Sequence, residues 1–178
     1  MKYKDIGESE KLDQVIKEMK NIFRTVPYGV DHTMKVLENT RTIIERENVD
    51  SQTGCIIELS AVLHDIGSVE ALRKYGSMEG HLQEQEGVPI ARNILNEHNY
   101  EPFVIERVCY IVGNHHTPEK IDGKDFQILW EADLIENMQV MDCTKDTETL
   151  RQFVSKKIKT QAGKALALCK YSPALKTL

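Results

Sequence analysis

An all-α fold is predicted by two observations: apolar residues recur at helical spacing along almost the whole chain, and no clean period-two alternation lasts beyond a few residues. With 178 residues, 40% apolar and 29% charged, the chain suffices for one core of ordinary size and not for two full domains. Residues 1–178 are therefore read as one domain, and disorder and collagen-like structure are excluded.

Each helix has its own justification. Ser9 is placed to cap a first helix whose face carries Leu12, Val15, Ile16, Met19, Ile22 and Phe23, with Pro27 and Gly29 ending it. A second helix is expected from about Asp31 to Asn48, its stripe being Met34, Leu37, Arg41 and Ile44 with Val36 and Ile43 at the edges. Asp50 or Ser51 caps a third, which buries Cys55, Ile56, Leu59, Val62 and Leu63 and breaks at His64-Asp65-Ile66-Gly67.

From Ser68 to Glu86 the pattern is irregular, and Gly76, Gly80 and Gly87 predict a short helix and a mobile loop; such a loop could cover a site, and whether it closes over one is left open by the sequence. Val88, Ala91, Ile94 and Leu95 define a fourth long helix. Pro102 opens a fifth through Ile105, Val108, Cys109 and Val112 to Asn114-His115-His116. Phe126, Leu129, Trp130, Asp133, Leu134 and Asn137 form a sixth, whose apolar face carries the carboxylate of Asp133. One last helix is expected from Thr147 to Lys170, acidic at its start and lysine-rich at its end, as the helix dipole favours.

The formal net charge of −5 argues against a protein that wraps a nucleic acid polymer. No apolar run approaches the roughly 20 residues of a membrane-spanning helix, and the charged N-terminus lacks the apolar centre of a signal peptide. A cytoplasmic location is the expectation that follows. Cys55, Cys109, Cys143 and Cys169 form no CxxC pair and are read as reduced, mostly buried thiols.

Against this helical background stand His32, the doublet His64-Asp65, the pair His115-His116, and Asp133. Imidazole nitrogens and carboxylate oxygens at helix ends and inward faces suit a divalent cation held between several helices. His98, by contrast, is read as an ordinary helix histidine.

The order His32 in Val30-Asp31-His32-Thr33, then His64-Asp65 in Ala61-Val62-Leu63-His64-Asp65-Ile66-Gly67, then Asp133 in Glu131-Ala132-Asp133-Leu134-Ile135, resembles the HD-domain superfamily of metal-dependent phosphohydrolases. The resemblance covers about residues 25–140 and implies a compact HD-domain helical bundle. It implies His32, His64, Asp65 and Asp133 as metal ligands, the ion being Fe, Mn, Co, Ni or Zn. One ion is expected, and two are accommodated if His81 or Glu86 joins His115, with His116 contacting phosphate. In the other reading, His115 and His116 bind only substrate.

The implied chemistry is hydrolysis of a phosphomonoester or phosphoanhydride of a small nucleotide or phosphorylated metabolite by metal-activated water. Asp65, His115 and His116 are its catalytic candidates. Arg73, Lys74, Lys120 and Lys124 are candidate phosphate contacts, each also readable as a solvated charge. The partners expected are a small phosphorylated substrate and no membrane; a homodimer is compatible with the sequence.

Departures from the family's subgroups narrow the substrate. Ser68 stands where many relatives carry the lysine of HD-x-x-K, and Ser68-Val69 replaces the acidic pair of the guanosine tetraphosphate hydrolases. Thr117-Pro118-Glu119-Lys120 replaces the Gly-Tyr-Pro signature of the cyclic dinucleotide phosphodiesterases. The diadenosine tetraphosphate hydrolases remain a partial likeness through His116-Thr117. A di-iron oxygenase of the same fold and a non-catalytic metal-binding regulatory module are the alternative functions.

Overall fold

The computed structural model describes residues 6–172, with side chains from Ser9 onward, as nine α-helices and no strand among these residues. They are α1 (Ile6–Ile22), α2 (Pro27–Arg46), α3 (Ser51–Leu63), α4 (Ser68–Tyr75), α5 (Gly80–Glu97), α6 (Pro102–Val112), α7 (Lys124–Asn137), α8 (Thr147–Lys157) and α9 (Gln161–Tyr171). Leu12 and Met19 of α1, Leu59 of α3, Phe126 of α7 and Ala167 of α9 all belong to one apolar cluster. No described helix is long and apolar enough to cross a membrane.

The first boundary differs from the sequence expectation. The helix begins before Ser9, which lies inside it, and Pro27 and Gly29 open α2 instead of closing α1. Proline at the first helical position gives up only an N–H that has no partner there. Gly29 serves a close approach, since a Cβ would lie 2.5 Å from a ring carbon of Phe23.

The buried stripe of α2 is also turned by about one residue. It consists of Thr33, Val36, Leu37, Asn39, Thr40 and Ile43, while Arg41 projects outward to Glu58 at 2.7 Å. Hydrogen bonds make two of the three polar members tolerable: Thr40 Oγ1 donates to the Val36 carbonyl at 2.7 Å and Asn39 Nδ2 to the Ala132 carbonyl at 3.1 Å. Asn39 thereby ties α2 to α7.

Asp50 caps α3 by accepting from Thr53 N at 2.9 Å, and α3 is buried from Ile56 to Leu63, so His64 at its C-terminal end is delivered to the middle of the bundle. The expected loop after Ser68 is instead helix, a four-residue connection (76–79), and helix again. Gly76 ends α4 in the left-handed conformation, at φ 67°. A Cβ on Gly67 would fall 2.2 Å from the Gln83 carbonyl oxygen, so that glycine marks tight contact between the start of α4 and α5.

The predicted last helix is two. Around Ile158, Lys159 and Thr160 the chain turns over the fully buried Glu131, whose carboxylate accepts from Lys159 N at 2.6 Å, Thr160 N at 3.1 Å, Gln127 Nε2 at 2.8 Å and the Thr160 hydroxyl. Thr160 then caps α9 by accepting from Gly163 N at 2.9 Å. Of the thiols, Cys109 and Cys143 are buried, Cys55 is half-buried and Cys169 is exposed; all four are unbridged.

Candidate metal centre

Four helices deliver electron-pair donors to one place: α2 brings His32, the end of α3 brings His64 and Asp65, the turn after α6 brings His115 and His116, and α7 brings Asp133. His32 Nε2 lies 3.3 Å from His64 Nε2, 3.1 Å from Asp133 Oδ1 and 3.6 Å from Asp65 Oδ2. His64 Nε2 lies 3.3 Å from Asp65 Oδ2 and 3.8 Å from Asp133 Oδ1. On the other side Asp65 Oδ1 faces His115 Nε2 at 3.3 Å, and the His115 ring stacks against His116 with centroids 4.0 Å apart.

The tautomers follow from the backbone. His64 Nδ1 is 2.8 Å from the Ala61 carbonyl oxygen, and His115 Nδ1 is 2.8 Å from that of Val112. A carbonyl only accepts, so each Nδ1 carries a proton and each ring turns Nε2 inward, where a cation that displaces any proton there meets a lone pair. Lone pairs and carboxylate oxygens that converge this way repel unless a proton or a cation sits among them. The donor set therefore fits a divalent ion, in two groups that share Asp65: His32, His64 and Asp65 with Asp133 beside them, and Asp65, His115 and His116.

The electrostatics agree. Burial opposes the His64 imidazolium, but the charges of Asp65 and Asp133 outweigh it and raise its pKa to about 9. Burial also opposes the Asp65 carboxylate, yet His64 and His115 hold its pKa well below the usual range. For Asp133 burial is likewise overcome, by the hydrogen bond from His32 and the charge of His64. His116 is pushed down by burial and then by His115, which keeps it neutral at pH 7.

Supporting contacts set the orientation of the donors. Asn137 Nδ2 donates to Asp133 Oδ1 at 2.9 Å, one turn along α7. The Ser68 hydroxyl donates to the Asp65 carbonyl oxygen at 2.7 Å, so the residue that replaces the expected lysine braces the turn behind the ligand. Glu84 accepts from His116 N at 2.9 Å, and a Cβ on Gly80 would sit 2.6 Å from the His116 ring, which packs onto the start of α5.

The other sequence candidates lie elsewhere. His81 is exposed, with Nδ1 3.7 Å from Glu79, and belongs to neither donor group. Glu86 is buried but accepts from Lys74 Nζ at 2.6 Å and the Tyr75 hydroxyl at 2.8 Å. His81 and Glu86 therefore lie outside the group that contains His115, which includes His116 instead; α5 begins at Gly80 and carries both side chains to other partners. Arg73 pairs with Glu70, Lys74 with Glu70 and Glu86, Lys124 with Glu47, and Lys120 is exposed; none lines the cleft over Asp65. His98 closes α5 outside both groups.

That cleft has a volume of about 540 Å³ and runs over His32, Asp65, His116 and Asp133 between Tyr28 and Met78 at one side and Lys35, Glu136 and Gln139 at the other. Lys35 was not singled out from the sequence, although it stands one turn after His32 on the same helix.

The HD domain family model matches residues 29–149. The chain belongs to the HD-domain family. Among solved structures, a predicted HD superfamily hydrolase from an uncultured Thermotogales bacterium is similar in fold, with a TM-score of 0.65 and 20% identity over 95% of this chain and 87% of that one. No curated protein matches. HD domains are metal-dependent, and the His and Asp groups described above could bind a metal.

Proposed function

We propose that this HD-domain protein is a metal-dependent phosphohydrolase that cleaves a phosphomonoester or phosphoanhydride of a small nucleotide or phosphorylated metabolite. The observation that carries the reading is the position of Asp65, which offers one oxygen to each of two donor groups on the floor of an open cleft. His32, His64, Asp65 and Asp133 would hold one divalent ion, and Asp65, His115 and His116 would hold a second. An ion bound there lowers the pKa of its water toward ~7 and shields a phosphoryl oxygen.

The chain's own groups do the rest. Asp65, an anion at neutral pH, accepts a proton from or orients the attacking water at its carboxylate. His116 faces the cleft as a neutral imidazole and donates its ring N–H to a phosphoryl oxygen. Asn137 and the backbone carbonyls behind His64 and His115 keep the donors in place while charge shifts in front of them.

The test is release of orthophosphate from a panel of nucleotides, sugar phosphates and diphosphates by protein loaded with Mn or Co. Metal-dependent turnover that a chelator stops is expected. Full metal occupancy with no turnover across the panel would overturn the proposal in favour of a regulatory module, and a stable mixed-valent iron pair would favour the oxygenase.

A further inference from the structure

Lys35 follows His32 by three residues on α2, and Glu136 follows Asp133 by three on α7. The side chains meet in two successive rungs: His32 Nε2 with Asp133 Oδ1 at 3.1 Å, then Lys35 Nζ with Glu136 Oε1 at 3.3 Å. The second rung lies about one helical turn, ~5 Å, beyond the ligands.

Glu136 is almost wholly buried, and a carboxylate so placed needs a counter-charge. Lys170 of α9 provides it, with Nζ 2.7 Å from Oε2 and 3.4 Å from Asn39 Oδ1, and Gln139 Nε2 adds a donor at 3.2 Å. Two ammonium groups therefore surround one carboxylate. Lys35 is the looser of the two, its side chain 52% exposed, and among the described residues it is the only Lys or Arg lining the cleft.

We infer that Lys35 binds a second anionic group of the substrate, next to the phosphate held at Asp65, and that the substrate is a phosphoanhydride or a phosphate with an adjacent anionic group. This rests on the phosphohydrolase reading and narrows it. A flexible ammonium with three donors can turn from Glu136 to an incoming anion, and Glu136 keeps its compensation from Lys170 while it does so. One turn beyond the metal ligands, the ammonium reaches the neighbour of the reacting phosphate.

The experiment titrates Mn-loaded protein with orthophosphate and with pyrophosphate by calorimetry, measuring the metal content of the protein after each run. Lys35→Met should weaken pyrophosphate about 10- to 100-fold, the worth of one charge-assisted hydrogen bond, and leave orthophosphate and Mn affinity unchanged. Lys35→Arg should restore most of the loss. Unchanged pyrophosphate affinity in Lys35→Met, or equal weakening of both probes, would overturn the second-anion site and leave the phosphohydrolase reading standing. Wild-type protein that binds Mn and neither probe would overturn both.

Discussion

His64 and His115 are held by the same device: each follows the end of a helix, returns Nδ1–H to the carbonyl three residues back at 2.8 Å, and presents Nε2 to Asp65 at 3.3 Å. The two rings meet edge to face with centroids 5.4 Å apart, and Asp65 stands between their inward nitrogens. Two residues far apart in sequence are thus converted into preset metal-type donors by local backbone geometry, before any ion arrives.

Because the groups share only Asp65, their histidines should separate by substitution. His64→Ala is expected to lose all tightly bound metal. His115→Ala should keep about one equivalent and lose turnover. Elemental analysis of both variants beside the wild type checks this, and loss of all metal from His115→Ala would show that the groups do not act separately.

Protons and metal compete for His64. With its pKa raised from 6.5 to about 9 in the metal-free fold, binding a cation at neutral pH must release a proton, so metal affinity should rise about tenfold per pH unit between roughly 6.5 and 9. The stability of the metal-free protein should move the other way. A raised folded pKa stabilises fully below 6.5, and that contribution, of order 3 kcal/mol, is lost as pH climbs through 9. Competition titrations and thermal melts across this window measure both; a pH-independent affinity would contradict the placement of the proton.

Asn137 touches Asp133 from outside the donor group. Asn137→Ala should reduce metal affinity or turnover about 10- to 100-fold without changing the helical circular dichroism, as loss of a ligand-orienting hydrogen bond does. An Asn137→Ala protein with wild-type metal affinity and kcat would show that Asp133 needs no such support.

Glu131 concerns stability. Gln in its place removes the charge that gathers Lys159, Thr160 and Gln127, and should cost about 3 kcal/mol, or about 10 °C in Tm for a chain of this size. Differential scanning calorimetry of Glu131→Gln reads it, and an unchanged Tm would mean that the α8–α9 turn does not depend on the carboxylate.

The helices were legible because a core-facing helix writes its period into the sequence, and Asp50 and Pro102 mark starts that the structure keeps. The errors have a common source in residues read by type alone. Pro27 reads as a stop although proline suits a first turn, and Gly80 reads as part of a mobile loop although it is small to admit the His116 ring. The α8–α9 break was missed because its cause, Glu131, lies 29 residues before Thr160. In the site, the order of His32, His64-Asp65 and Asp133 pointed to one cluster, whereas the remoteness of His81 and the use of Lys74 by Glu86 are tertiary facts. Lys35 did carry a signal, its place three residues after His32.

If the Asp65 cluster holds a catalytic divalent ion, as proposed, metal content per chain in wild type and Asp65→Ala, purified side by side without added metal or chelator, reads it most directly. About one to two equivalents are expected in the wild type and nearly none in Asp65→Ala, with orthophosphate release lost in the same variant and the helical circular dichroism retained. Metal and turnover undiminished in Asp65→Ala, or a wild type that stays empty after Mn or Co is added back, would contradict it.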